Sequence, residues 1–558
     1  MNTFLKTYRL ALTPLSPIHI GCGEDFEPTN YVIDDGVLYG FDPSRAVLTD
    51  VQKSRLTDAA NKASLQAIQR FFRDNAKDFK PHADVLIPVS SGVAQAYEQR
   101  IGRAANIEAS GNAVFNQLAI ERTSYTGLLR QPYIPGSSFK GAFRTSDLNR
   151  INASNPIQYG ENTPKGGSTK LEKRLYEEKD FDMSPMRLIK VSDLMPNAEL
   201  DRSVTYAVMR RKRFVRDPAT GEEKQTQDNL STRKEIISHG QYRGLAGQVT
   251  MPLLGDLPDS DKTPKAKFRH VDIVTLAHAS NAYHLPKLEE ELKILDSRRF
   301  ASERWLVSLR KLLASELGLK LKEGSAFLVR LGRYGGAETK TLDGIRSIHI
   351  PQAKRLEEKY VTSSHCLWLA ANDSRARSDL LPFGWAVVEI DPQADLPQLK
   401  AWCAAESKGR PDMAQLRQQF EAEKLAASKR KLELLAEAAE REAAKLAEQA
   451  AAEQRAQALA SMTPQGQLIE TLRQQCEDLD EKISHGNFKK QKTDAGQAGL
   501  YQDASRLVKA ALEGSGWSAA DKLALADMLE QWLPKVVTPW DAKEQRKKLK
   551  LAALRGLT

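Results

Sequence analysis

Cysteine is scarce in this chain: four residues in 558, at Cys22, Cys366, Cys403 and Cys476, with no C-x-x-C pair. That spacing excludes a disulfide framework and a Cys-rich zinc site, and it points to a reducing, cytoplasmic setting. Long apolar runs are lacking too. None approaches the roughly 20 residues that cross a bilayer, so no membrane partner is expected. The opening stretch carries Lys6 and Arg9 without the apolar core and small-residue cleavage site of a secretory signal. The nine histidines show no H-x-x-x-H spacing and no G-x-x-x-x-G-K-[ST] phosphate loop occurs, so no metal or cofactor is expected.

Basic charge is plentiful. Lys and Arg number 82 against 72 Asp and Glu, a net charge of +10. Such a balance fits a polyanion partner, because each cation placed on a phosphate releases counterions. Charge alone leaves nucleic-acid binding and its absence about evenly matched. A hydrophobic fraction of 41% is ordinary for a globular protein, and 558 residues are too many for one core.

Residues 1–41 read as strands, with Asp34-Asp35-Gly36 as a hairpin turn between Tyr31-Val32-Ile33 and Val37-Leu38-Tyr39. The period turns helical from Pro43 to Phe79. A strand is expected to feed a helix at Pro135-Gly136-Ser137, residues 152–185 read as weakly ordered, and a hairpin with its turn at Asp217–Gly221 follows. Residues 299–321 form one amphipathic helix, and Trp385–Ile390 closes the globular part. From about 413 to 460 the chain is Ala, Glu, Lys, Arg, Gln and Leu without Gly or Pro, which predicts a long helical strut outside the core. On this reading a chain ending near residue 400 stays folded. The last hundred residues read as a helical bundle, with Thr463-Pro464, Thr538-Pro539 and Ser518/Asp521 as N-terminal caps and Cys476 in the core.

Three elements carry candidate chemistry. In Gly136-Ser137-Ser138-Phe139-Lys140-Gly141, amides and hydroxyls at a helix start could cradle a phosphate, with Lys140 and Arg144 adding charge; an ordinary tight turn is the alternative. In Gly332-Arg333-Tyr334-Gly335-Gly336, Arg330, Arg333 and Lys340 supply charge and Tyr334 offers a face for a base. The run Arg210-Arg211-Lys212-Arg213 would make both faces of a strand basic, which suits a protruding arm better than a buried strand. His19, before the turn Gly21-Cys22-Gly23, is either an acid–base group or a structural histidine.

Together these pieces, P-x-H-I-G-x-G (Pro17–Gly23), I-P-G-S-S-x-K-G-x-x-R (Ile134–Arg144) and the late glycine loop, resemble the RAMP superfamily of CRISPR-associated RNA-binding proteins. Within it, Leu12–Gly23, Met186–Asp193 and Leu381–Trp385 are similar to the fifth Csm subunit type of type III-A effectors, over about residues 1–395. The resemblance implies an α+β fold with two ferredoxin-like (RRM-like) modules, at 1–150 and 151–395. A linker and long helix at 396–462 and a helical bundle at 463–558 depart from the family pattern, and a fused small subunit is one reading of them. The resemblance further implies a subunit that caps the 3′-end side of CRISPR RNA, next to the backbone RAMP subunit, and supports guide maturation and antiviral RNA targeting. Implied partners are CRISPR RNA, target RNA within a complex and other Csm-type subunits, with recruitment of host nucleases left open. Implied RNA contacts are His19, Gly21, Gly23, Gly136, Ser137, Ser138, Lys140, Arg144, Arg210, Arg211, Lys212, Arg213, Arg330, Arg333, Tyr334, Gly335, Gly336 and Lys340. In cleaving backbone subunits an Asp follows the first strand; Thr29 stands at the matching place here, with Asp25 and Asp34 nearby, so no catalysis is expected. The alternatives are a precursor-processing RAMP endoribonuclease using a histidine, and another RAMP subunit of a related type III complex.

Overall fold

The strand Leu5–Pro14 lies in the middle of its sheet, antiparallel to Leu245–Pro252 on one side and to Trp385–Ile390 on the other. Ala326–Arg330 extends the sheet beyond Trp385–Ile390, and the short strands Met195–Pro196 and Lys190–Val191 extend it beyond Leu245–Pro252. Its apolar runs are continuous because both faces are covered. Along Trp385–Ile390, Trp385 and Val387 enter one core while Ala386 and Val388 enter another. Ala326 and Leu328 alternate with Phe327 and Val329 in the same way. In this computed structural model the described residues are 4–107, 113–115, 118–127, 130–154, 156–157, 167–214, 230–253, 260, 262–269, 271–350, 359–486, 488–493 and 499–557.

The second six-stranded sheet has the order Leu381–Pro382, Cys366–Ala371, Arg202–Arg211, Ser231–Ile237, Ile120–Thr123, Gly21–Phe26. The pairing of Ser231–Ile237 with Ile120–Thr123 is parallel, and the other neighbours are antiparallel. Ile120, Val204, Tyr206 and Val208 share the core that also takes Leu328 and Trp385. The chain is thus α+β, and each sheet draws strands from both sides of residue 150. That residue does not divide one sheet from the other. A separate three-stranded sheet, Tyr31–Asp34, Val37–Phe41 and Ala83–Pro88, contains the expected hairpin, with both Asp35 (φ 46°) and Gly36 (φ 73°) in the left-handed region that a tight hairpin turn demands.

Several expectations change. Part of 152–185 is helical, at Gly167–Leu175, with Leu175 and Tyr176 buried against the second core. The 299–321 segment is two helices, Glu303–Leu313 and Glu316–Glu323, because Ser315 caps the second through its hydroxyl. The first arm of the expected hairpin is a strand, Arg202–Arg211, which pairs with Ser231–Ile237, while the expected turn at 217–221 and the return stretch to 225 lie outside the described residues. The globular part continues past Ile390 into the helix Pro397–Ser407, whose Leu399, Trp402 and Cys403 are buried in the first core. The long helix Met413–Ala460 begins against a separate small cluster beside the three-stranded sheet. Phe420 is buried against Val37, Ala83 and Leu86, and Arg417 pairs with Glu199. A chain ending near residue 400 therefore loses core side chains.

The chain divides into two compact units, Met1–Lys429 and Arg430–Thr558. In the second, Pro464–Ser484, Leu500–Glu513 and Ala519–Val536 surround a core of Leu472, Cys476, Val508, Leu529 and Leu533. Thr463 and Ser518 cap their helices as expected. Thr538-Pro539 does not start a helix; Asp541 caps Ala542–Lys548 instead, its carboxylate accepting from the Lys543 and Glu544 amides. Among the described residues no helix is long and apolar enough to cross a membrane.

Candidate nucleic-acid interface

The glycine loop after Ala326–Arg330 is held against two other segments. Gly332 has φ +88°, and a Cβ there would sit 2.2 Å from the His19 carbonyl oxygen. Gly384 has φ +90°, and its Cβ would sit 2.1 Å from the Leu331 carbonyl oxygen. Both positions need glycine for conformation and for close approach. The Arg333 amide then donates to the His19 carbonyl at 3.3 Å, and the Leu331 amide to the Gly384 carbonyl at 2.8 Å. The P-x-H-I-G segment, the glycine loop and the P-F-G-W turn thereby meet at one point, although more than 300 residues separate the first from the other two in sequence.

Around that point a cleft of about 750 Å³ opens. Its walls are the Gly21–Phe26 edge strand, the cleft-facing side of the helix Gly136–Ser154 through Ser138, Gly141 and Arg144, and the loop through Gly332, Arg333 and Lys340. Three of the sequence elements that were read separately are therefore neighbours: Gly21 and Gly23, Ser138 and Arg144, and Arg330, Arg333 and Lys340. Arg333 is the most exposed of the loop cations, with 66% of its side chain accessible. It pairs with Glu121 at 3.1 Å, an exchangeable surface contact worth about 0–1 kcal/mol. Arg144 faces Glu172 at 3.6 Å. Partial burial lowers the Lys340 pKa, and Arg330 and Arg333 add to the effect. An anion in the cleft would reverse that repulsion.

Other candidates are placed differently. His19 is buried; its Nδ1 lies 2.8 Å from the Glu235 carbonyl, and burial is the first cause lowering its pKa, which keeps the ring neutral. It is a structural histidine rather than a surface contact. Tyr334 is also largely buried, 5.2 Å from the Trp368 ring and 5.0 Å from Phe383, so little of its ring is left open at the second basin it helps to line. Arg330 reaches the cleft, but its side chain is only 6% exposed, and its guanidinium donates to Glu291 at 2.8 Å and to the Phe383 carbonyl at 3.0 Å and lies over Trp385. The Gly136 amide donates to the Asp193 carboxylate at 2.7 Å, and a Cβ at Gly136 would meet the Val191 and Ser192 carbonyls. A carboxylate occupies the helix start where a phosphate was expected. Ser137 is exposed beside it. Lys140 is not on the cleft wall; burial, then Lys190 and Arg144, lower its pKa. Gly335 and Gly336 shape the loop, their carbonyls accepting from the Thr339 hydroxyl.

The basic run is not a protruding arm. Arg202–Arg211 is an interior strand, hydrogen-bonded on both edges. Arg210 is buried, and its guanidinium donates to the Met209, Ser374 and Ala376 carbonyls. Lys212 donates to Glu338 at 2.7 Å. Burial alone would raise the Glu338 carboxyl, but Lys212 and the Ser364 hydroxyl outweigh it and bring its pKa down to about 2. Arg213 is exposed, and Arg211 lines a second basin of about 570 Å³ that shares Arg333 and Lys340 with the first.

Sequence reasoning missed the charged residues beneath the cleft. Glu235 is fully buried between Arg202 at 3.2 Å and Arg122 at 3.9 Å, and Arg122 lies over the Tyr125 and Phe26 rings. Lys234, equally buried, pairs with Glu121. Nothing in Arg233-Lys234-Glu235 distinguishes these residues from a solvated strand edge. Asp25 lines the cleft, whereas Asp34 pairs with Lys80 on the separate three-stranded sheet. Among the described residues no group of His, Cys, Asp and Glu is arranged to hold a metal ion.

No family model and no curated protein matches the chain. Among solved structures it is similar to a chain of a Csm–crRNA–target RNA ternary complex of a type III-A CRISPR-Cas system, with 16% identity and a TM-score of 0.40 over 69% of this chain and 100% of that one. It is also similar to Csm5 of T. onnurineus, with 15% identity and a TM-score of 0.39 over 68% of this chain and 99% of that one.

Proposed function

We propose that this chain is an RNA-holding subunit of a type III, Csm-like CRISPR effector, gripping the 3′-end side of CRISPR RNA beside the backbone subunits without cutting it. The observation that carries the reading is the convergence, in one cleft, of the three motifs that resemble the RAMP superfamily, with Arg144, Arg333 and Lys340 on its walls. Open, exchangeable cations without a dedicated base-edge pocket suit phosphate contacts that tolerate any guide sequence. A holding role is supported over a cutting one by the burial of His19 and by the neutral hydroxyl of Thr29. The partners in this reading are CRISPR RNA, target RNA within the assembly and other Csm-type subunits.

The test is to recover the full chain from its host, sequence the bound RNA and identify the co-purifying subunits. Guide RNA enriched with backbone-type subunits is expected. Recovery without RNA, or cleavage of repeat RNA by the chain alone, would overturn the reading.

A further inference from the structure

Trp368 is the aromatic residue that remains open where Tyr334 is not. It lies on the strand Cys366–Ala371, opposite Met209, and alternation sends Leu367 and Leu369 into the main core while Trp368 faces the other way. One face of its indole covers Tyr334, with ring centres 5.2 Å apart and planes at 42°. The side chain is still partly exposed and lines the second basin together with Arg211, His349 and His365. The basin's volume of about 570 Å³ falls in the range of roughly 300–1,000 Å³ found for small-ligand sites. It is joined to the first cleft through Arg333 and Lys340, which line both.

We infer that the second basin holds an unstacked nucleobase of the strand whose phosphates cross the first cleft, with Trp368 as its stacking platform. This rests on the reading of the cleft as an RNA site. The chemistry favours a base over another phosphate, because an aromatic wall beside cations gives a π-face to the base and charge to its own phosphate. Every base has such a face, so the contact adds affinity without reading sequence. Tyr334, packed beneath, fixes the indole plane.

Binding of the full chain to a short oligouridylate is compared with binding to the same ribose–phosphate chain lacking bases. Wild type should prefer the base-bearing strand by about ten- to hundred-fold, the usual worth of one base–aromatic stack. Trp368→Leu keeps apolar cover over Tyr334 and should abolish that preference while leaving abasic affinity unchanged. Trp368→Phe, which retains a π-face, should keep most of it. A Leu variant that retains the full preference, or a wild type that binds both strands equally, overturns the stacking site and leaves the RNA-holding role standing. A wild type that binds neither strand overturns both.

Discussion

The run Arg210–Arg213 and the loop Leu331–Lys340 are neighbours, joined through Lys212 and Glu338, yet they use their cations differently. In the run, Arg210 closes off backbone carbonyls and Lys212 is matched by a carboxylate, so two of four charges are structural. In the loop, Arg333 stands at the surface with a weak partner, and its backbone is fixed by Gly332. A buried cation whose terminal nitrogens are committed to backbone carbonyls is lost to ligands. One held at the surface by a rigid backbone costs little to redirect.

The largest effect that would sharpen this contrast is on the loop's backbone. Gly332→Ala should destabilise the protein by about 3–5 kcal/mol, from left-handed strain plus the clash with the His19 carbonyl. Gly23→Ala, also at positive φ but with nothing within 4 Å of the added Cβ, should cost about 1 kcal/mol. Denaturant unfolding of the two variants measures the difference, and equal losses would remove the close approach as the reason for Gly332.

A crossed pair of variants comes next. Arg210→Ala should lose about 2–4 kcal/mol of stability by leaving buried carbonyls unmatched. Arg333→Ala with Lys340→Ala should leave stability within about 0.5 kcal/mol and lower the salt slope of RNA binding by about 1.4, two contacts at roughly 0.7 each on a single strand. Binding isotherms at several salt concentrations read the slope. If Arg210 moves it more than the loop pair does, the division between structural and binding cations fails.

The smallest effect concerns the link between the two regions. The Glu338 pKa in the folded protein, about 2, lies below its unfolded value, near 4.3. Its stabilising contribution is therefore present above about pH 4.3 and is lost as pH falls through that value toward 2. Glu338→Gln should flatten the stability profile over that interval and leave the shape above pH 5 unchanged, as pH-dependent unfolding would record. An unaltered acid limb would show that Lys212 does not depress this carboxyl.

Much of the local structure was legible because its causes are local. Asp35-Gly36 specifies the tight hairpin, Thr463 and Ser518 specify helix starts, and the period of Leu472, Cys476 and Leu479 specifies a buried helix face. The three RAMP-like motifs were legible as motifs, but not as one cleft. Tyr334 was read as the loop's stacking face because nothing in its local sequence shows that Trp368 and Phe383 pack against it.

By itself the sequence determined the Asp35-Gly36 hairpin, the Thr463 and Ser518 caps, the basic excess and the motifs, since propensity, periodicity and turn chemistry act within a few residues. Tertiary structure alone decided which cations face solvent. Lys212 meets Glu338 across 126 residues and Arg210 meets Ala376 across 166, so neither pairing leaves a trace in local spacing. Whether a charge is structural or available depends on desolvation and on partners brought from far along the chain, and both exist only once the sheets have closed.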